Sequence, residues 1–381
     1  MIQCGIDRIR EYDRVFRGKR LGLITSASGV DRNLTSTVDR LAEAYDLAAL
    51  FSPEHGLRGN VEAGGNVDTY RDPDTGVMVY SLYGQAGRKL SPERLQEVDA
   101  VVYDIQDLGV RYYTFISTMF YAMQSCSEAG KELIILDRPD PLGGVAVEGN
   151  VVEPGYESFV GVYSLCMRYG LTVGELAAMM HKEGNYTCPL TIIPVSGWKR
   201  SMLHPETGLV WMMPSPNIPK FESALVYPGT CLFEGTNVSE GRGTTAPFEI
   251  IGAPFVDGRA LAGAMNGKKL PGVLFSPAYF TPTASKHQGT PCQGVHIHVT
   301  DPRAFLAADT GVELLFEIKN RWPEAFQFLP ATPEWGRPFA QVLFGGPEIM
   351  ADGMTAVKLR EIFHRDSLAF AKRKEAYHLY D

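Results

Sequence analysis

The sequence has no stretch approaching the 18 or more apolar residues of a membrane span. Met1 to Arg10 lacks the basic segment followed by an apolar one that marks an export signal. The chain as given is therefore expected in the cytoplasm, neither exported nor anchored; export is expected only if it is a trimmed form. Six cysteines, at 4, 126, 166, 188, 231 and 292, include no C-x-x-C pair, which disfavours structural zinc and redox motifs. Buried thiols are the simpler account. No G-x-G-x-x-G follows the first expected strand and no G-x-x-x-x-G-K-[ST] occurs, so a nucleotide cofactor loses its main support. The absence of G-x-S-x-G removes an ordinary α/β-hydrolase serine. Positive charge is not in excess either: a net charge of -8 and a pI near 5.6 argue against a nucleic-acid partner. Internal repeats and low-complexity tracts are missing.

What is present is a 381-residue chain, 45% hydrophobic and 21% charged, too long for one ordinary core. Short apolar runs at Arg20 to Thr25, Leu47 to Phe51, Val77 to Leu82, Ala100 to Ile105, Leu133 to Leu136 and Leu190 to Val195 read as strands. Helical patterns fall between them at Asn33 to Tyr45, Ser91 to Val98, Phe115 to Gly130 and Thr172 to Gly184. This alternation predicts a doubly wound, mostly parallel α/β sheet. From about Gly197 to Pro254 the density of proline, glycine, asparagine and tryptophan suits long ordered loops. Beyond it, helices at Asp257 to Asn266 and Pro302 to Trp322 flank strand patterns at Val273 to Phe280 and Gly294 to Thr300. The expected organisation is a catalytic domain over 1–240 and a smaller α+β domain over 241–381 closing a cleft.

Polar clusters recur where strands end: Thr25-Ser26-Ala27-Ser28-Gly29, Pro53-Glu54-His55, Gln106-Asp107-Leu108-Gly109-Val110-Arg111 and Asp137-Arg138-Pro139. Parallel strands bring such loops to one sheet edge, where open α/β sheets bind ligands. In Ser52 to Gly59 an apolar run gives way to acid, imidazole and guanidinium within five residues. Taken alone that is a solvated turn as readily as a site. In the second half, Phe233 to Thr244 packs Glu234, Asn237, Glu240, Arg242 and hydroxyls among glycines, a mixture that suits a sugar. Asn217 stands between Pro216 and a second proline two residues on, in a rigid extended segment. Trp198, Trp211 and Tyr227 are candidates for stacking on a sugar, or for the core. His296 and His298 share one face of an expected strand, without a nearby carboxylate to complete a metal site. Asp104, Asp107, Asp137 and Asp140 could hold a divalent cation at the sheet edge, the basis of an alternative reading as a metal-dependent esterase or phosphoesterase. A non-catalytic saccharide-binding protein is the other alternative.

The combination Ser52-Pro53-Glu54-His55-Gly56, Asp104 to Arg111, Leu136-Asp137-Arg138-Pro139, Pro214-Ser215-Pro216-Asn217 and Glu234 to Thr244 resembles the NamZ family of bacterial exo-β-N-acetylmuramidases. The similarity runs in order from about Gly5 to the C-terminus. It implies a Rossmann-like domain without a dinucleotide fingerprint, a smaller C-terminal domain, and a cleft between them. It also implies removal of N-acetylmuramic acid from the non-reducing ends of peptidoglycan fragments, with a catalytic glutamate matching Glu54. The chain departs from the family's common Asn-His/Gln-Thr-Gly run after the first strand, where it has Ser26-Ala27-Ser28-Gly29.

Cleavage of a glycosidic bond needs a proton donor beside the leaving oxygen and stabilisation of an oxocarbenium-like transition state. Glu54 is the expected acid. Glu234 is favoured as the second catalytic group, with Glu240 and Asp107 as rivals, and the substrate's own acetamido carbonyl as a further option. The expected substrate-binding residues are His55, Arg58, Gln106, Asp107, Arg111, Arg138, Asn217, Asn237, Glu240 and Arg242. For the lactyl carboxylate of the sugar a bidentate arginine is expected, Arg111 or Arg242 first. The expected partner is a peptidoglycan-derived saccharide, with no nucleic acid, membrane, metal or cofactor involved.

Overall fold

Six short apolar runs become the parallel strands of one sheet, β1 (Arg20–Thr25), β2 (Asp46–Ser52), β4 (Met78–Ser81), β5 (Ala100–Asp104), β6 (Glu132–Leu136) and β7 (Leu190–Ile193), with β1, β5 and β6 buried almost throughout. A two-residue strand β3 (Tyr70–Arg71) pairs antiparallel with β4 and completes the order β3-β4-β2-β1-β5-β6-β7. These elements come from a computed structural model that describes residues 1–58, 69–83 and 88–381. Residues 59–68, which include Gly59 at the end of the Ser52 to Gly59 stretch, and residues 84–87 lie outside the described residues.

Alternate side chains of each strand enter different cores. Val101, Tyr103, Leu133 and Ile135 join the large cluster on one face. Leu21, Leu23, Val102 and Ile134 join the smaller one on the other. Both faces being covered explains the near-continuous apolar runs. The helices Phe115–Ala129 and Val173–Glu183 contribute to the first face and Thr37–Ala44 to the second. Local signals fix their ends: Thr172 and Glu175 form a reciprocal capping box, and Gly130 stops its helix at φ 63°. Strand order runs outward in opposite directions from β1 and β5, so the topological switch point lies between them.

The second sheet is antiparallel, in the order β8-β10-β9, with β8 (Ile250–Ala253), β9 (Val273–Phe280) and β10 (Cys292–Val299). Pro277 is tolerated because β9 is an edge strand. The large core is continuous across both halves, from Phe51 and Tyr103 through Tyr227 and Phe248 to Leu315 and Phe344.

One expectation is corrected here. The Gly197 to Pro254 region is not all loop, since Phe221–Thr230 is a helix. Pro228 falls in its last turn, where only one intrahelical bond is lost, and burial from Ser223 to Thr230 erases the amphipathic period. A 19-residue helix, Ala356–Lys374, also forms, for which the sequence reading made no assignment.

Candidate active site

Glu54 is presented by a tight turn at the end of β2. Gly56 N–H donates to Pro53 O (3.1 Å), and His55 occupies the third position of that turn at φ 71°, a place that glycine usually fills. A non-glycine residue held there fixes the direction in which the preceding side chain leaves the backbone. Glu54 is 9% exposed. Thr114 Oγ1 donates to its Oε2 at 2.6 Å. Thr114 stands at the N-cap of the helix Phe115–Ala129, yet its hydroxyl makes no capping bond. A cap contribution of about 1 kcal/mol is thus given up to hold a carboxyl group. Burial first, and then the Glu54 carboxylate, push the Tyr83 phenol up to about 12, so Tyr83 remains a hydrogen-bond donor beside the acid.

These residues line a cavity of about 240 Å³ to which both halves of the chain contribute. The second half supplies Glu234 and Arg242, and the proline-rich segment supplies Ser215 and Asn217. Arg242 is shared between two carboxylates, 3.3 Å from Glu234 and 3.2 Å from Glu240. Lys286 meets the other oxygen of Glu240 at 2.7 Å and donates to the carbonyls of Phe233, Thr236 and Val238. The polar stretch around residue 240 is therefore pinned from beneath. Tyr113 also lines the cavity, 7% exposed, with Ser215 beside its hydroxyl. A wider groove of about 870 Å³ adjoins this cavity and shares Asn217, Glu234 and Arg242 with it; Thr244, Thr245, Thr281, Thr283 and Ser285 add hydroxyls.

The expected site residues separate into two groups. Glu54, His55, Asn217, Glu234 and Arg242 meet in the cavity, with Glu240 buried behind Arg242. The others are placed as structural ties, and each has a physical reason. Arg111 is wholly buried and turns both terminal nitrogens to backbone carbonyls. Arg138 forms a bidentate pair with buried Asp104, at 2.6 and 2.8 Å. Arg58 is held between Asp72 and Asp74. Asn237 uses its amide on Ala325 O and Gln327 N–H. Gln106 donates to the carbonyls of Asp107 and Pro139. With Ser28, Arg138 and His204, Gln106 lines a separate, smaller cavity of about 100 Å³. The four strand-end loops thus share an edge but serve two cavities. Of the aromatic candidates, only Tyr227 reaches the larger one; Trp198 packs on Tyr380, and Trp211 on His204 and Phe221.

Each aspartate of the metal reading already has partners in the fold, Asp140 Oδ1 accepting from the Leu142 N–H, although Asp107 Oδ1 and Asp140 Oδ2 have no hydrogen-bond partner among the described residues. Asp104 pairs with Arg138, Asp107 accepts from Tyr169 and the Gly109 N–H, and Asp137 accepts from Thr172, Tyr380 and the Gly174 N–H. Among the described residues no group of three or more His, Cys, Asp or Glu gathers as metal ligands. His298 bonds Ser276, and His296 faces Glu249 at 3.5 Å.

Burial pushes the Asp107 carboxyl from its ordinary 3.8 up to about 6, against the hydrogen bond from Tyr169. Its folded pKa therefore exceeds its unfolded one. Its charge costs no stability below about pH 4, and the cost grows until the pH passes 6. Asp107→Asn, which removes the charge and keeps an acceptor, is expected to raise the melting temperature relative to wild type more at pH 8 than at pH 4.5. Equal differences at the two pH values would contradict this account.

Several lining residues carried no sequence signal of their own. Tyr112, Tyr113 and Thr114 directly follow the Gln106 to Arg111 cluster, so extending that motif by three residues would have found them. Tyr83 and Arg88, both between β4 and the helix Pro92–Gln96, meet Phe159 and Trp335 only in the folded chain.

A doubly wound α/β half and an antiparallel-sheet half, enclosing three glutamates in a cavity that adjoins a hydroxyl-lined groove, define a saccharide-cleft protein of the glycosidase type. The chain belongs to the exo-β-N-acetylmuramidase NamZ family: residues 21–222 match its N-terminal part and residues 225–380 its C-terminal part. It is 50% identical over 331 residues to the peptidoglycan β-N-acetylmuramidase NamZ of Bacillus subtilis (strain 168), an alignment covering 86% of this chain and 80% of the relative. It also resembles the crystal structures of two DUF1343 family proteins from Bacteroides fragilis NCTC 9343. One gives a TM-score of 0.92 at 38% identity and the other 0.78 at 28%, each over 100% of this chain and 99% of the other.

Proposed function

We propose that the chain releases N-acetylmuramic acid from the non-reducing ends of peptidoglycan fragments, with Glu54 as the general acid. The observation that carries the assignment is the hydrogen bond from Thr114 to Glu54 Oε2 inside a cavity built by both halves. That bond fixes the orientation of the carboxyl group at the cavity wall, where the leaving oxygen would lie. The cavity has room for one sugar unit, while the adjoining groove is wide and open. That pairing supports exo action: the terminal sugar enters the cavity, and the rest of the saccharide lies in the groove. Glu234, the second carboxylate, is set by Arg242 and serves on the side of the ring away from the leaving group.

Incubation with the disaccharide N-acetylmuramic acid-β-1,4-N-acetylglucosamine, read by mass spectrometry, tests this. Both free sugars are expected, at an unchanged rate in the presence of a chelator. Tight binding of an intact disaccharide would identify a binding protein instead, and chelator-sensitive turnover would point to the esterase class.

A further inference from the structure

Resting on that reading of the substrate, we infer that Arg88 reads the lactyl carboxylate and so sets the preference for N-acetylmuramic acid over N-acetylglucosamine. The two sugars differ only in the ether-linked lactyl group at C3, which brings one negative charge into a cavity already lined by Glu54, Glu234 and Glu334. A carboxylate entering among acids needs a cation not already committed to one. Two arginines line the cavity. Arg242 is bridged to Glu234 and Glu240, so its charge is spoken for twice. Arg88 makes no ion pair among the described residues; its guanidinium lies over the Phe159 ring, 4.0 Å from the centroid.

Stacking on an aromatic face holds the guanidinium plane while leaving its edge of N–H donors open, the geometry for a bidentate carboxylate contact. The position suits the substrate as well. The Tyr83 phenol feels both the Glu54 carboxylate and the Arg88 cation, so acid and arginine flank one residue without pairing with each other. On the sugar, the glycosidic oxygen at C1 and the lactyl ether at C3 are likewise near neighbours on one ring. Half-buried Arg88 loses less to solvent screening than a surface arginine would.

Calorimetric binding of the free sugars tests the assignment without requiring turnover. Arg88→Ala is expected to weaken N-acetylmuramic acid binding about 10- to 100-fold and to leave N-acetylglucosamine within about 2-fold. Arg88→Lys, a point charge without the fork, should recover part of the loss. The lactyl amide of N-acetylmuramic acid should bind wild type and Arg88→Ala alike. Loss of both sugars in parallel, or unchanged N-acetylmuramic acid binding by Arg88→Ala with a wild-type melting curve, overturns the inference. A wild type that discriminates through Arg88 but cleaves nothing leaves this assignment standing and overturns the glycosidase reading.

Discussion

Glu54→Gln is expected to lower kcat on the N-acetylmuramic acid-N-acetylglucosamine disaccharide by about 10³-fold, the scale of a lost general acid. Binding of the substrate and the melting temperature should stay near wild type. Glutamine fills the same space, and its amide can still meet the Thr114 hydroxyl that now donates to Glu54 Oε2. The role of the carboxyl group can be separated from that of a nucleophile by changing the leaving group. A sugar alkoxide departs only with a proton, whereas 4-nitrophenolate needs little help. The variant should therefore lose far less on a 4-nitrophenyl glycoside, about 10-fold, than on the disaccharide. Equal losses on both substrates would make Glu54 the attacking group and transfer the acid role elsewhere. Wild-type rates on the disaccharide would remove Glu54 from the chemistry altogether.

Much of the fold was legible because a parallel sheet covered on both faces writes itself as short apolar runs. Arg20–Thr25 and Val273–Phe280 form strands at the residues expected. Phe221–Thr230 was not legible for the complementary reason: a helix buried on every side shows no period, and its proline reads as a breaker. In the site, Glu54 stood out through the combination of motifs that resembles the NamZ family; as an acid after a buried strand it looks no different from Asp137, which the fold uses as a structural tie. Charged residues were harder to sort, since ligand contacts and internal ties draw on the same side chains. Arg242 and Arg138 both sit in polar motifs and both pair with carboxylates, yet only Arg242 reaches the larger cavity. Arg88 lies in no such motif, and only the fold shows that it makes no ion pair among the described residues. Thr114 immediately precedes the expected helix at Phe115 to Gly130, and nothing in the sequence says its hydroxyl is turned toward Glu54.

Arg111 makes the sharpest case of a charge whose purpose the motif conceals, and its replacement should produce the largest stability effect. Its side chain is fully buried and no carboxylate among the described residues pairs with it. One nitrogen donates to Leu165 O (2.9 Å) and to Asn150 O, and the other to Leu343 O (3.0 Å) and Phe344 O. The last two carbonyls close the helix Phe339–Phe344, where a cation also meets the negative end of the helix dipole. Burial pulls the arginine's pKa down, and the carbonyls stand in for the lost water. This one guanidinium ties the loop after β5 to the C-terminal half, directly behind the cavity wall at Leu343. Arg111→Met fills most of the volume but takes the Arg111 donor from three buried carbonyls, Asn150 O, Leu165 O and Leu343 O, at roughly 1–3 kcal/mol each, while Phe344 O keeps the Asn150 amide. A destabilisation of about 4 kcal/mol or more is expected, a large share of the 5–15 kcal/mol that ordinarily holds a domain folded. The denaturation midpoint should fall steeply, while protein that remains folded keeps the wild-type ratio of affinities for N-acetylmuramic acid and N-acetylglucosamine. If Arg111→Met instead unfolds at the wild-type midpoint and loses that ratio, Arg111 reads the substrate after all, and the buried carbonyl cage is not what keeps it there.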